Sequence, residues 1–466
     1  MNPSTDIPDN FYFNGGAQET VITAVSAGFL ALAVILILFL PRKYVVYPLI
    51  LATLLIPASE VIVMLGFHFT PYRVLILSGL VRALRERLSG GRRVFPPMNL
   101  LDKVFLVWAT CDAMTYVLLW GPGAIANRLG FLYSTLGTYF LFRYLIRDRD
   151  DIIRVTKVLA VAAIIVAIGM AVEHRTGINQ FYLRIAGTLK YSEVREGRIR
   201  AQGPFEHSII AGTFGAILLP LFISLWKARS DTRLYSALGI VASAIITIFS
   251  ASSTPIMTLL AGLTGFCFWP LRRRMRIVRW SIVMSLILIQ LSMNSPIWWI
   301  FARLSGIMGG SGWHRAELID QFVRRFTEWG LIGTRNDANW GADTWDCINA
   351  YVRAGTDGGL LTCILFISII VVAYKMIGRT RRLVAGRPRE EALAWALGVA
   401  LFANTVAYFG IIYFDQSIVV WYALLAMISA ASTLAVVQKK PAPQKIEDFP
   451  SPISESSEDI SAASVY

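Results

Sequence analysis

Apolar residues come along this chain in runs of about twenty, broken by short polar stretches. The runs fall at about 22–40, 45–67, 70–84, 103–120, 127–146, 152–172, 206–226, 234–251, 255–271, 280–293, 351–375, 391–412 and 416–437. A helix needs about 20 residues to cross a hydrocarbon core of about 30 Å. The pattern therefore predicts an all-α, polytopic integral membrane protein with about 12–13 transmembrane helices. The run at 70–84 is short and carries Arg73, and the run at 280–293 is short too, so the count is good to about one helix.

The expected organisation is a short outer N-terminal segment (1–20), a transmembrane helical domain (21–437) and a tail (438–466). No basic residue precedes the first run, unlike the positive start of a cleaved signal peptide. The tail, PAPQKIEDFPSPISESSEDISAASVY, is rich in proline, serine and acid, the composition of a disordered segment.

Composition agrees with the pattern. Of 466 residues, 55% are hydrophobic and 16% charged, against roughly a quarter charged in soluble chains. A soluble enzyme is excluded. The net charge of +14 is set mostly by topology rather than by a nucleic-acid partner. With the N-terminus outside, the inner loops hold 30 of the 44 lysines and arginines, as cytoplasmic loops should. The expected orientation is thus N-terminus outside, C-terminus cytoplasmic. Glu60, Asp112 and Arg143 lie in or near spans and read as packing pairs. Cys111, Cys267, Cys347 and Cys363 are scattered, and His68, His174, His207 and His314 show no metal-ligand spacing. No phosphate-binding loop, nucleophile elbow or zinc-protease motif is present, and neither a metal site nor a cofactor is expected.

Two outer loops break the charge rule, each with six basic residues: 173–205 and the large loop 294–350 extended to Arg353. Basic residues kept there against the trend suggest an anionic ligand; pairing with the loops' own acids is the alternative. The first loop ends in Arg195, Arg198 and Arg200 before Gly203-Pro204 and Glu206-His207, with Gly212 and Gly215 in the next helix allowing close backbone approach. Guanidiniums beside a helix start suit phosphate, since arginine binds it bidentately and helix N–H groups add to the attraction. In the second loop Leu318, Ile319, Phe322, Val323, Phe326 and Trp329 form one apolar stripe, predicting an amphipathic helix. Asp320–Arg324 and Arg324–Glu328 are i,i+4 pairs on its polar face. His314 and Arg315 open that helix, and the aromatic, acidic stretch Trp340–Asn349 could meet a sugar.

Three stretches resemble the O-antigen ligase and O-antigen polymerase superfamily of bacterial envelope glycosyltransferases, over about residues 70–437. Arg200-Ala201-Gln202-Gly203-Pro204-Phe205-Glu206-His207 resembles its R-x-x-G-x-F-x-H stretch. Ser311-Gly312-Trp313-His314-Arg315, with Gly330-Leu331-Ile332-Gly333, resembles the opening of its large periplasmic loop. Cys347-Ile348-Asn349-Ala350-Tyr351, with Gly358-Gly359-Leu360-Leu361, resembles its H-N-x-Y/F…G-L-L-G segment. The resemblance implies a metal-independent transferase of the bacterial inner membrane. Its donor is an undecaprenyl-pyrophosphate-linked glycan and its acceptor a glycan or lipid, with a chain-length regulator or flippase as a possible partner. It assigns Arg200 and Arg315, with Arg198, to pyrophosphate. His207, Glu206, Trp345 and Asn349 fall to sugar binding or its support. The family histidine position is Ile348 here, which leaves Asp346 or His314 as the base. The expected activity is polymerisation or ligation in exopolysaccharide or O-antigen biosynthesis. The alternative is a non-catalytic transporter or export component for polysaccharide or lipid-linked glycan.

Overall fold

The computed structural model of the protein describes residues 20–64, 67–90, 95–303, 312–341 and 347–439. The terminal segment 1–19 and the tail 440–466 lie outside the described residues. The described residues include the helices α1 (Ala24–Phe39), α2 (Val46–Leu55), α3 (Pro71–Leu88), α4 (Leu100–Trp120), α5 (Ile125–Leu145), α6 (Arg149–Thr176), α7 (Gln180–Arg184), α8 (Ser208–Ala228), α9 (Arg233–Phe249), α10 (Ser253–Cys267), α11 (Met275–Ser292), α12 (Gly312–Arg324), α13 (Phe326–Trp329), α14 (Ala350–Leu383), α15 (Pro388–Ala407) and α16 (Ile418–Lys439). Two short antiparallel hairpins, β1 (Ile62–Met64) with β2 (Phe67–Phe69) and β3 (Glu193–Arg195) with β4 (Arg198–Arg200), are the only strands among the described residues.

Every apolar run falls on a helix, and the protein is an all-α polytopic membrane protein. Among the described residues seven helices are long and apolar enough to cross a membrane: α4, α6, α8, α9 and α11 (the last two with the 3-10 turns before them), α14 and α16. The second run is a correction. Only Val46–Leu55 is helical, since the chain turns extended at Ile56 before Pro57, which cannot donate to a helix. The β-branched stretch that follows pairs as the β1–β2 hairpin.

Helix α8 forms the centre and packs against α6, α9, α10 and α15. Its small residues permit this: a Cβ on Gly212 would lie 2.6 Å from Pro255, and one on Gly215 would lie 2.9 Å from Ile246. Helix α11, by contrast, buries none of its residues.

Two buried charges of the bundle are held in ion pairs. Arg143, 2% exposed, grips Asp102 bidentately at 2.9 and 3.1 Å, and Tyr139 donates to the same carboxylate at 2.5 Å. Arg128 donates to Asp112 at 3.0 Å. Glu60 accepts from the Thr23 N–H at 3.0 Å, but its other oxygen is buried without a hydrogen-bond partner and it makes no ion pair among the described residues, unlike the packing pair expected of it. At the end of the bundle that holds Arg143, further pairs join neighbouring helices: Arg42–Asp151, Arg229–Asp150 and Arg272–Glu391. The candidate site sits at the other end.

Candidate functional site

The smaller loop leaves α6, forms the one-turn helix α7 and returns through the β3–β4 hairpin. Pairing sets Glu193 opposite Arg200 and Arg195 opposite Arg198, which puts all four on one face of the ribbon. The chain then turns sharply at Gly203, whose φ of +59° favours glycine. Glu173, fully buried, fastens that turn: its carboxylate accepts from the Gln202 N–H at 3.0 Å, the Gly203 N–H at 2.9 Å and the Ser192 hydroxyl at 2.9 Å. Asn179 donates to the Gly203 carbonyl at 2.7 Å, and Gln416 to that of Pro204 at 3.0 Å. The Ala201 N–H donates to the Phe249 carbonyl at 3.0 Å and ties the hairpin to the end of α9.

These contacts hold Arg200 over the turn between α9 and α10. One of its Nη atoms donates to Glu193 at 2.7 Å, the other to the Ser252 hydroxyl at 2.8 Å. Its buried Nε has no hydrogen-bond partner. Arg198 is exposed and makes no ion pair among the described residues.

Arg315 reaches the same turn from α12. Its Nη2 donates to Thr254 at 2.6 Å and to Ser253 at 3.3 Å, and its Nε is bonded to nothing. The side chain is 4% exposed, and no carboxylate pairs with it among the described residues. Burial alone pushes its guanidinium down to about 10. Thr254 donates to the Gly410 carbonyl at 3.3 Å, which brings in the loop between α15 and α16. Arg200 and Arg315 thus come together: both guanidiniums rest on Ser252–Thr254.

Of the other candidates, Asn349 caps α14. Its side-chain oxygen accepts from the Tyr351 and Val352 N–H groups at 3.0 and 3.2 Å, and its amide donates to the Phe409 carbonyl at 3.5 Å. It is 1% exposed, and its amide holds two loops together. His207 stands at the N-cap of α8 without a capping bond, exposed, its ring edge-on to Phe414 at 6.2 Å. Glu206 is exposed beside it. His314 is half-buried next to Arg315. Asp346 and Trp345 lie outside the described residues. Cys347 is buried, and burial pushes its thiol up to about 12. Among the described residues no three histidine, cysteine or acidic side chains gather into a metal-holding group.

The large loop departs from the sequence pattern in its middle. The helix breaks at Arg325 (φ −96°, ψ 28°), so Arg324 pairs with Asp320 at 2.6 Å but not with Glu328. Arg325 takes Glu328 instead, at 3.0 Å, and Trp340 donates to the same carboxylate at 2.9 Å. The break turns Trp329 back to stack on Phe322 at 3.9 Å, and leaves Val323 and Phe326 half exposed. Beyond it, the two glycine motifs meet. Gly359 interrupts α14 with φ +76°, and a Cβ there would strike the Leu331 carbonyl. The Leu360 N–H donates to the Gly330 carbonyl at 3.0 Å, and that of Thr334 to Thr356 at 2.8 Å.

Sequence reasoning missed the turn Ser250-Ala251-Ser252-Ser253-Thr254. Its hydroxyls were readable only as loop polarity; the signal was their density between two apolar runs. No protein-family model and no curated protein matches this chain.

Proposed function

We propose that the protein is a membrane-embedded glycosyltransferase that polymerises or ligates undecaprenyl-pyrophosphate-linked oligosaccharide at the outer face of the bacterial inner membrane, its N-terminus outside and C-terminus cytoplasmic. The observation that carries the reading is Arg315, a buried guanidinium with no carboxylate partner among the described residues, meeting Arg200 on one hydroxyl-lined turn. A buried charge without a counter-charge costs several kcal/mol. A ligand pyrophosphate removes that cost and gains two bidentate partners.

In the reaction, an acceptor hydroxyl attacks the anomeric carbon of the donor. The carbon–oxygen bond to pyrophosphate breaks, and the lipid pyrophosphate leaves with the bonding pair. Arg200 and Arg315 stabilise the charge that develops on it in a low-dielectric site. The hydroxyl proton passes to a base of the large loop, His314 or Asp346. Asp346→Asn and His314→Gln separate the two: the variant that loses polymer while keeping expression marks the base.

The reading is tested in a deletion strain by gel analysis of surface glycan. Loss of the length ladder identifies a polymerase. Intact lipid-linked polymer that fails to reach its acceptor identifies a ligase. Unchanged glycan contradicts the proposal.

A further inference from the structure

We infer that the start of α10 is the third wall of the anion site: Ser252 and Thr254 are positioning residues for the two guanidiniums, and the helix N-terminus faces the same diphosphate-class ligand. The inference rests on the site being one for a phosphate anion and adds to it residues no motif named.

The turn is built unlike an ordinary helix start. Ser252 occupies the N-cap position, where a serine normally accepts from the second or third N–H of the helix. Here it makes no capping bond. Its hydroxyl donates to the Ser250 carbonyl at 3.2 Å, and its lone pairs face Arg200. The N–H groups of Ser253 and Thr254 therefore have no capping side chain, and Pro255 has no N–H to offer. The positive end of the α10 dipole is left open.

Thr254 is directed in the same way. Its proton goes to the Gly410 carbonyl, which leaves the oxygen to accept from Arg315. Gly410 keeps the approach open: a Cβ there would lie 2.6 Å from the Thr254 hydroxyl and 2.9 Å from Arg315 Nε. Arg315 is the independent sign of a ligand, since it is 96% buried, aimed into the first turn of α10 and uncompensated among the described residues. The two arginines are held two residues apart on this turn, at most about 7 Å of chain. That spacing suits a ligand with two charged centres.

Helix α10 has 15 residues, about 22 Å, against a hydrocarbon core of about 30 Å.

The test uses the full-length protein in lipid nanodiscs, with inorganic pyrophosphate and farnesyl diphosphate as probes and calorimetric titration as the readout. Thr254→Val should weaken pyrophosphate binding about tenfold, the scale of one hydrogen bond to a charged group. Thr254→Ser should restore it to within about twofold. Ser252→Ala, on the less buried Arg200 side, should weaken it by a smaller factor and decides the matter if Thr254→Val fails to fold. Tighter binding of farnesyl diphosphate supports a lipid-borne diphosphate; equal binding supports a soluble one at the same site. Wild-type protein that binds neither probe overturns the inference. So does equal binding by wild type, Thr254→Val and Ser252→Ala. No acceptor glycan is present, so the transferase reading fails separately: Thr254-dependent binding with unchanged surface glycan in Arg315→Ala defeats that reading alone.

Discussion

Two arginines are buried to nearly the same degree at opposite ends of this bundle, Arg143 at 2% and Arg315 at 4% exposure. Arg143 meets a carboxylate with both arms, and that carboxylate is shared with Tyr139 and with the Asn99 N–H at the start of α4. Among the described residues Arg315 meets hydroxyls only. The first is a finished junction in which each charge is satisfied by the fold. The second is half of one. Burial alone does not distinguish a structural arginine from a ligand-binding one; the counter-charge does.

The largest expected effect breaks this comparison at both ends. Arg143→Ala leaves Asp102 buried and unpaired, and should cost about 3–5 kcal/mol of stability, read as lost yield of folded protein. Arg315→Ala and Arg200→Ala should keep yield but lower glycan output by roughly 10²-fold or more, the usual loss of one charge-stabilising donor. Lysine at either position should restore part of the activity, because it carries the charge without the bidentate fork.

A second set tests the scaffold that aims the arginines. Gly359→Ala should destabilise the protein by about 1–3 kcal/mol, since alanine at φ +76° is strained and its Cβ strikes the Leu331 carbonyl. Thermal unfolding in nanodiscs reads this directly.

The pH dependence has a definite sign. Burial lowers the Arg315 guanidinium to about 10, and the anion binds the charged form. Pyrophosphate affinity should therefore hold below pH 10 and fall as pH rises through it. Titration calorimetry across pH 8–11 shows the fall in wild type and not in Arg315→Gln.

The smallest effects lie at the exposed edge. Glu193 competes with a ligand for Arg200 but is 61% exposed, so Glu193→Gln should tighten pyrophosphate binding by only a few-fold. Arg324 is 71% exposed although its partner Asp320 is buried, and Trp298 also donates to that carboxylate, so Arg324→Ala should leave glycan output unchanged. For orientation, buried Cys347 is a poor probe. Leu331→Cys, at a position 86% exposed, should react with an impermeant thiol reagent from the outer face.

What could be read in the sequence follows from its physics. Apolar runs of twenty residues have one solution in a bilayer, so the helices were legible. Charge scarcity drew attention to the arginines of the two outer loops, and the resemblance singled out Arg200 and Arg315 among them; their shared turn became visible only in the structure. Asn349 looked like a sugar ligand because an amide before a helix is chemically the same whether it caps or binds; its bonds to Tyr351 and Val352 became visible only in the structure. The Ser252–Thr254 turn was invisible because a hydroxyl gains its role from what folds over it, here two arginines 52 and 61 residues away in sequence. The break at Arg325 hid for a similar reason: the helical spacing continues through it, and the stacking of Trp329 on Phe322 outweighs it.

The most direct measurement is the ligand-free melting temperature of Arg315→Gln beside Arg143→Gln in nanodiscs. Glutamine removes each charge while keeping a polar side chain. If Arg315 is held uncompensated for an anion, its neutral variant melts at or above wild type, loses its pyrophosphate-induced stabilisation and makes no glycan, while Arg143→Gln melts well below wild type. If Arg315→Gln melts as far below wild type as Arg143→Gln does, Arg315 is a structural residue and the site has been misread.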